Sequence, residues 1–347
     1  MLPLLQNKER KCIVKDSLGR TLHDLRISVT DQCNFRCPYC MPYKKIVKDS
    51  FLEKDEFLEI SEITRIASLA TQLGVKKIRL TGGEPLLRKD INALISMIQG
   101  IEGITDIALT TNGSLLANKA DELKAAGLNR LTVSLDSLDE EIFSAMSGGF
   151  GAVKDVLQGI TTAGKAGFKK IKINVVVEKN ANESSILDLV DFFRGTPHIL
   201  RFIEFMDVGT KNNWEATQVI PSTETYRKIH HKYPLVSLDA NYPGEVASRY
   251  AFEDGKGEVG FISSISQPFC QDCSRLRLSP DGKLYACLFA TEGMDVKSLL
   301  RSDISDIALF DCFKNFWMER EDRYSEKRFF DAPQIQRPKV EMYKIGG

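Results

Sequence analysis

A chain of 347 residues with 43% hydrophobic content can bury one large α/β core, alone or with a smaller appendage. Its 47 basic and 47 acidic residues cancel, so the overall charge does not indicate a nucleic-acid or anionic-membrane partner, and any cationic site must be local. The chain has no apolar run of about 18 residues and its start lacks the charge order of a signal peptide, so we expect a cytoplasmic protein.

Strands and helices alternate after a polar N-terminal arm, residues 1–24, which we expect to pack across the main domain. Six strands are predicted at residues 25–30, 77–81, 107–111, 131–136, 171–177 and 200–206. Helices are predicted between them at residues 55–73, 91–99, 116–126, 152–166 and 185–194, the first with Asp55 as its N-cap and Gly74 as its stop. Repeated strand–helix units imply parallel strand pairing.

Alternation within the strands predicts the fold. In the first strand Ile27 and Val29 lie on one face, with Arg26 and Thr30 on the other, and later strands repeat this pattern. A doubly wound sheet, the alternative, would show near-continuous apolar runs, and a closed barrel would fill its interior with branched apolar side chains. We therefore predict an α/β fold in which residues 25–208 form a partial six-stranded (β/α) TIM-like barrel with a polar lumen.

Three cysteines follow the first strand in the sequence CNFRCPYCMP, residues 33–42. Cys33, Cys37 and Cys40 can direct three thiolates toward one point, and cysteine thiolates are the usual ligands of iron–sulfur clusters. A [4Fe-4S] cube with three protein ligands keeps one iron free for a small molecule. Zinc, the alternative beside buried structural thiols, usually takes four ligands in paired halves, and no further cysteine or histidine is close in sequence.

The polar face of the predicted strands carries four cations with few acidic partners. They are Arg26, Lys77, Arg79 and Lys172. Because unpaired buried charge is costly, this face predicts an anionic ligand. The alternative is a set of internal salt bridges with Asp136 or Glu204. In parallel barrels chemistry lies where strands end, so the polar loop at each strand end is a candidate part of the site.

After residue 208 the strand–helix alternation stops, and residues 209–347 are predicted to form a smaller domain that closes the open side of the barrel. Short strands are expected at residues 259–265, 275–278 and 284–288. In the middle one, Arg275 and Arg277 alternate with apolar residues and therefore point to one side.

A second trio, Cys270, Cys273 and Cys287, lacks a fourth ligand nearby, which favours a second cluster with an open iron. A zinc site would need Cys312 or a histidine, His230 or His231, to approach it. The two remaining cysteines, Cys12 and Cys312, are expected to be ordinary thiols.

The first trio, with Tyr39 directly before its last cysteine, resembles the signature of the radical S-adenosylmethionine (SAM) superfamily. Met41-Pro42, the second trio and its arginines narrow the resemblance to the GTP 3′,8-cyclase family of molybdenum cofactor biosynthesis. The resemblance spans about residues 20–347. It implies GTP as substrate, with two [4Fe-4S] clusters, one on each cysteine trio, and SAM as cofactors.

Residue roles are carried over from this resemblance. SAM contacts are implied for Tyr39, Gly83, Glu84, Ser134 and Met206, with the Gly82–Glu84 turn holding the SAM amino group. Substrate contacts are implied or predicted for Arg26, Lys77, Arg79, Thr110, Lys172, Arg275, Leu276 and Arg277. Among these, Arg275 and Arg277 are the implied catalytic pair. A double-glycine tail, Gly346-Gly347, is implied to reach into the site.

The resemblance also implies the reaction. Reductive cleavage of SAM gives a 5′-deoxyadenosyl radical that removes hydrogen from C3′ of GTP, and the C3′ radical attacks C8 of guanine. The product, (8S)-3′,8-cyclo-7,8-dihydroguanosine 5′-triphosphate, passes to a cyclic pyranopterin monophosphate synthase. We expect a monomer or homodimer, and the sequence does not identify the electron donor. The alternatives are a radical SAM enzyme that modifies peptides and a non-enzymatic zinc-binding module.

Overall fold

A single sheet of twelve strands organises the computed structural model, which describes residues 14–42, 51–242, 244–328 and 339–346. Predictions for Cys12, for Gly347 and for the arm before residue 14 lie outside these residues. In the part of the chain that is described, no helix is both long and apolar enough to cross a membrane.

The six predicted strands are confirmed, and all pair in parallel in chain order. They are β1 (Asp24–Ser28), β2 (Lys77–Thr81), β3 (Asp106–Thr111), β4 (Arg130–Ser134), β5 (Lys172–Val177) and β6 (Ile199–Glu204). The helices between them are α1 (Ile60–Gln72), α2 (Ile91–Gln99), α3 (Ala120–Ala125), α4 (Glu140–Ser147), α5 (Val153–Lys165) and α6 (Ile186–Phe193).

The start of the first helix differs from the prediction. We expected Asp55 to cap it, but Lys54–Glu56 forms a separate 3-10 turn and α1 begins at Ile60. Glu59 caps α1 together with Glu62, each side chain engaging the other's main chain, so two capping boxes follow each other where one was expected. The stop at Gly74 is confirmed, since α1 ends at Gln72 and Gly74 has a positive φ.

One other helical prediction needs correction, and one helix was missed. The helix expected at residues 116–126 is a 3-10 turn, Leu116–Asn118, followed by the shorter α3. We did not predict α4, although Asp139 accepts hydrogen bonds from the N–H groups of Glu141 and Ile142 as an N-cap. Its eight residues are too short for a strong periodic signal.

The strands after residue 208 extend the barrel sheet at both edges. This segment contains α7 (Ser222–Lys232), β7 (Leu235–Leu238), β8 (Ser248–Phe252), β9 (Glu258–Ile262), β10 (Arg275–Leu278), β11 (Lys283–Tyr285), β12 (Met294–Asp295), α8 (Val296–Leu300), α9 (Asp306–Met318), α10 (Tyr324–Lys327) and α11 (Met342–Ile345). β9 pairs in parallel with β6, and β10 pairs in parallel with β1. The C-terminal segment therefore adds strands to both edges of the same sheet, while its closure of the open side and the domain boundary at residue 209 stay predictions.

The predicted alternation of apolar and polar residues is confirmed. Leu25, Ile27, Ile78 and Leu80 are completely buried beneath the helices. Each such side chain contributes about 1.5–3 kcal/mol relative to exposure, so this face fixes the register of every strand. The cations of β1, β2 and β5 consequently point to the opposite face, into the lumen.

The glycine turn after β2 fixes the segment that leads into the first cysteine loop. The N–H of Gly83 donates to the carbonyl of Thr30 at 2.8 Å, and the N–H of Glu84 donates to the carbonyl of Gln32 at 2.8 Å. A Cβ on Gly83 would overlap the Gln32 carbonyl. The space that Gly83 leaves is thus filled by the main chain directly before Cys33, and the implied contact of this turn with the SAM amino group stays a prediction.

Gly83→Ala is expected to destabilise the protein by about 1–3 kcal/mol, because the added methyl group must displace rigid main chain. The matched control is Gly164→Ala in α5, where a Cβ has open space around it. There the change should stabilise the protein by about 0.5–1 kcal/mol, since glycine disfavours a helix. Denaturant unfolding measures both, and equal effects of the two substitutions would contradict the proposed packing.

Candidate active site

One cavity occupies the lumen of the sheet and gathers most of the predicted substrate residues. Its lining includes Asp24, Arg26, Lys77, Arg79, Thr110, Lys172, Asn174, Arg201, Met206, Tyr242, Cys270, Cys273, Arg275, Arg277, Cys287 and Arg320. Among the described residues that line it, eight are Lys or Arg and three are Asp or Glu. The residues predicted here that do not line it are Cys33, Cys37, Cys40, Tyr39, Gly83, Glu84, Ser134 and Leu276.

Strand register builds the cationic wall. Arg26 of β1 stands directly between Arg79 of β2 and Arg277 of β10. Arg79 also donates to the hydroxyls of Thr110 at 3.1 Å and Thr132 at 3.2 Å, which holds its guanidinium in the lumen. Neighbouring parallel strands place equivalent residues side by side, so alternation in three separate segments becomes one continuous basic surface.

The lumen cations lack enough negative charge. Burial, reinforced by Arg277, Arg275 and Arg79, holds the pKa of Arg26 well below its usual range. Burial and the charges of neighbouring arginines lower the pKa of Lys172 to about 7. Groups that are buried among like charges bind an anion favourably, because it restores both solvation and neutrality.

Internal salt bridges do not account for these cations. Asp136 accepts hydrogen bonds from Tyr39 and from the N–H of Val176, and Glu204 accepts from main-chain N–H groups near Ile265. Neither forms an ion pair with a lumen cation within the described ranges. Asp24, which sequence analysis missed, pairs with Lys77 at 3.1 Å.

Arg201 is a second residue that sequence analysis missed. It lies on β6, lines the cavity and donates to Asn174 at 2.7 Å. Burial, followed by the charge of Arg79, lowers its pKa to about 9. Its signal was present, since Arg201 alternates with Leu200 and Phe202 in the same way as the cations that were found.

The first cysteine trio lies at the C-terminal end of β1. A turn in which the N–H groups of Cys40 and Met41 donate to the Cys37 carbonyl folds the loop back on itself. Burial, together with the nearby charges of Cys33 and Cys40, holds the pKa of Cys37 well above its usual range.

A donor set of three thiols suits an iron–sulfur cluster better than zinc. No three His, Cys, Asp or Glu side chains of the described segments are placed to hold a single metal ion. A cluster takes one thiolate per iron, so its ligands stand further apart than the ligands of one ion. His230, offered above as a possible zinc ligand, instead accepts a hydrogen bond from the N–H of Leu235 at 3.0 Å.

Glu84 is a buried connector between strand ends. It is completely inaccessible and accepts hydrogen bonds from the Thr111 hydroxyl at 2.7 Å, the N–H of Asn112 at 2.8 Å and the N–H of Leu86 at 3.0 Å. Burial outweighs these donors and raises its pKa to about 7. Both carboxylate oxygens are therefore occupied by protein, and any role of Glu84 toward SAM would pass through the loops that it positions.

The other predicted SAM residues surround the ends of β4 and β6. The Tyr39 hydroxyl donates to Asp136 at 2.8 Å, which ties the cysteine loop to the segment after β4. Ser134 is the half-buried last residue of β4, and Met206, two residues beyond β6, lines the cavity. These residues lie at the same ends of parallel strands, where the site was predicted, and their contacts with SAM stay predictions.

The second trio also lines the cavity. Arg275 donates to the sulfur of Cys273 at 3.3 Å, and Arg320 donates to the same sulfur at 3.1 Å. Although burial acts in the opposite direction, the charges of Arg275 and Arg320 lower the pKa of Cys273 to about 6. Burial raises the pKa of Cys287 to about 11.

The remaining predicted residues of β10 face opposite ways. Arg277 points into the cavity and donates to the carbonyls of Ile345 and Gly346, so the C-terminal tail does reach this site as far as Gly346. Leu276 is buried in the core beneath the sheet, so any contribution from it to substrate binding would have to come from its main chain. The reason is the alternation of side chains along a strand.

Two models of known protein families match this chain. The model for the Radical SAM superfamily matches residues 27–193, and the model for Molybdenum Cofactor Synthesis C matches residues 198–326.

Relatives match over nearly the whole chain. A protein from Xanthomonas campestris pv. campestris, named GTP 3′,8-cyclase, is 51% identical over 334 residues, covering 96% of this chain and 97% of that protein. A protein of the same name from Staphylococcus saprophyticus is 46% identical over 338 residues, covering 96% and 99%. One from Acidothermus cellulolyticus is 48% identical and covers 92% and 90%.

Solved structures share the fold at low sequence identity. Streptococcus suis SuiB bound to S-adenosylmethionine has a TM-score of 0.60 at 15% identity, covering 91% of this chain and 70% of that one. Native anSMEcpe with bound AdoMet has a TM-score of 0.55 at 16% identity, covering 92% and 93%. The predicted α/β partial barrel is confirmed.

Glu84→Gln should destabilise the fold by about 1–3 kcal/mol. One acceptor oxygen of the carboxylate becomes an amide NH2 group, which then faces N–H or O–H donors that it cannot accept from. Glu102→Gln, on an exposed surface position, is the matched control and should stay within about 0.5 kcal/mol of wild type. Thermal or denaturant unfolding at pH 8 measures the difference. A Glu84→Gln protein as stable as wild type would show that the hydrogen bonds of Glu84 between the strand ends do not stabilise the fold.

Proposed function

Because this chain belongs to the GTP 3′,8-cyclase family, within the radical SAM superfamily, we propose that it converts GTP to (8S)-3′,8-cyclo-7,8-dihydroguanosine 5′-triphosphate in molybdenum cofactor biosynthesis. The observation that carries the proposal is the cavity itself. It combines three cysteines of the second trio with eight cations and only three acidic groups. That composition suits a polyanionic nucleotide held beside a metal cluster.

The two trios are the proposed cluster ligands. Cys33, Cys37 and Cys40 would hold one [4Fe-4S] cluster, and Cys270, Cys273 and Cys287 would hold the other. When bound, the first cluster with SAM supplies the radical that starts the reaction, and the second supplies an iron with a free position for the substrate. The guanidinium donors at Cys273 support a metal-bound thiolate there.

The protein's own contribution is position and charge. Lys77, Lys172 and Arg201 lie on three different strands around the lumen and would hold the triphosphate by charge-assisted hydrogen bonds. Arg26 and Arg79 stand side by side in register on β1 and β2 and continue the same basic surface. Under the proposal, a nucleotide fixed at its phosphates would present its ribose between the two trios.

A peptide-modifying radical SAM enzyme is the disfavoured alternative. Its support would be the likeness to a structure of anSMEcpe with a bound peptide, which at 15% identity shows the fold alone. Relatives at 46–51% identity over most of the chain carry the cyclase name instead. A cationic lumen also has no evident use for a peptide backbone, which carries no net charge.

Further parts of the proposal concern the cellular setting. We place the enzyme in the cytoplasm as a monomer or homodimer that hands its product to a cyclic pyranopterin monophosphate synthase, with no nucleic-acid partner. An unidentified donor would supply the electron. Lyase-type chemistry follows from the proposed cyclisation.

The direct test is anaerobic turnover with GTP, SAM and a reductant. The wild-type chain should bind about eight irons, as two [4Fe-4S] clusters require, and form the cyclised nucleotide. Cys33→Ala should abolish SAM cleavage, whereas Cys287→Ala should keep some uncoupled cleavage and lose cyclisation. Cys312→Ala, which lies outside both trios, is the control and should retain iron and activity.

Chromatographic detection of 5′-deoxyadenosine and of the nucleotide product separates these outcomes. SAM cleavage with no cyclised nucleotide from the wild-type chain would contradict the cyclase assignment. Colourless protein containing zinc would support the non-enzymatic module instead.

Proton uptake tests the role of Lys172. Because its pKa is held at about 7 without ligand, much of it is neutral at pH 8, and a bound triphosphate should raise that pKa again. GTP binding at pH 8 should therefore take up as much as one proton, and affinity should fall as pH rises through about 7 by up to tenfold per unit. Lys172→Arg keeps its charge and should lose this component.

Calorimetry of GTP binding in two buffers of different ionisation enthalpy, without SAM, gives the proton count. Any change in the ionisation of GTP itself occurs with both proteins. The difference in proton uptake between the wild-type and Lys172→Arg proteins therefore isolates Lys172. Equal proton uptake by both would remove Lys172 from the phosphate site.

A further inference from the structure

An arginine brace, defined as Asp16, Arg20 and Arg320, connects the N-terminal arm to the second cysteine trio. Arg20 donates to both the Asp16 carboxylate and the carbonyl of Cys270, the latter at 2.8 Å. Arg320 donates to the Cys273 carbonyl at 2.7 Å and to the Cys273 sulfur at 3.1 Å, and it lies 3.5 Å from Asp16. One buried carboxylate thus holds two guanidinium groups, each of which reaches a cysteine of the trio.

Burial makes this arrangement unusual. Asp16, Arg20 and Arg320 are each at most 6% exposed, although two cations share one carboxylate. One nitrogen of each arginine, Nη2 of Arg20 and Nε of Arg320, is buried without a hydrogen-bond partner among the described residues. An excess of buried positive charge beside a thiol is costly unless negative charge is placed there.

The brace distinguishes Cys273 from the other cysteines of both trios. Its sulfur accepts hydrogen bonds from two guanidinium groups, those of Arg275 and Arg320. Cys33 and Cys287 accept from main-chain N–H groups, at 3.3 and 3.5 Å. Across the described ranges, no other cysteine sulfur receives a guanidinium hydrogen bond.

We infer that Arg320 is a positioning residue that raises the reduction potential of a cluster bound by the second trio, and that Asp16 and Arg20 hold it in place. The inference rests on the proposed function, because it requires a cluster on these three cysteines. Reduction adds one electron to the cluster and changes no bond. A positive N–H donor at a ligand sulfur stabilises the more negative, reduced form, and hydrogen bonds to sulfur are a known determinant of cluster potential.

The experiment uses the full chain with Cys33, Cys37 and Cys40 all replaced by Ala, so that only the second trio can bind a cluster. Iron and sulfide analysis after anaerobic reconstitution comes first and should give about four irons. Absence of iron at this stage would overturn the two-cluster assignment itself, independently of Arg320. The potential is then measured by a redox titration followed by electron paramagnetic resonance, with the electron supplied by dithionite.

Arg320→Gln in this background should lower the ratio of reduced to oxidised cluster about tenfold at the parent midpoint. For a one-electron couple, this corresponds to a decrease of about 59 mV in the midpoint potential. Arg320→Lys keeps the positive charge but loses the paired N–H donors of the guanidinium group. Its midpoint potential should therefore lie between those of the parent and the Arg320→Gln protein. Arg65→Gln is the control, because Arg65 lies on α1 outside the barrel, paired with Asp306 at 2.8 Å, and should leave the midpoint unchanged.

A midpoint unaffected by Arg320→Gln, with the cluster loaded, would overturn the inference and leave the proposed function standing. If the Gln protein does not load, the Lys protein decides, because it keeps a cation at the sulfur. Failure of both to load, while the Arg65→Gln protein does, would also overturn it by showing that Arg320 is needed for assembly and not for the potential.

Discussion

Buried positive charge that the protein does not neutralise is the constraint on which this structure depends. The apolar faces of the strands are completely buried under helices. Because successive side chains of a strand point to opposite faces, the side chains between them face the lumen. Those positions are occupied by arginine and lysine, and the pKa values of Arg26, Lys172 and Arg201 all fall below their usual range. A lumen of this composition therefore favours an anionic ligand. The alternation of apolar and cationic residues along the strands therefore produces both features. It places the hydrophobic core on one face of the sheet and the candidate anion site on the other.

The site is also completed late in the chain. β10 is the neighbour of β1, so the wall that holds Arg277 beside Arg26 forms only when residues some 250 positions apart in sequence pair. The arm before β1 then grips the second cysteine trio through Arg20, and the C-terminal tail accepts hydrogen bonds from Arg277. Such long-range closure makes cavity formation part of global folding, because no local segment contains a sufficient set of ligands. It also means that a change in the arm can reach the site without touching it.

Local patterns in the sequence predicted the local features. The strands, the two trios and the cations of β1, β2 and β5 follow from spacing and alternation, and the structure brings the second trio and these cations into one cavity. Arg201 had the same signal and was overlooked. Arg320 had none, because its partner Cys273 is 47 positions away and the segment before it is helical, so that only tertiary packing brings the two together. The turn after β2 illustrates a different limit, since the sequence could not show that the space beside Gly83 is filled by the main chain at Gln32.

The two trios differ in the donors that reach their sulfurs. Cys33 and Cys287 accept hydrogen bonds from main-chain N–H groups, and burial raises the pKa of each thiol to about 11. In contrast, Cys273 accepts hydrogen bonds from guanidinium groups, and the charges of Arg275 and Arg320 overcome burial and lower its pKa to about 6. The electrostatic difference between the trios is therefore concentrated on one sulfur of the second trio. Under the proposed function, that sulfur is the point at which the protein would adjust a cluster bound there, because hydrogen bonds to a ligand sulfur affect the cluster potential.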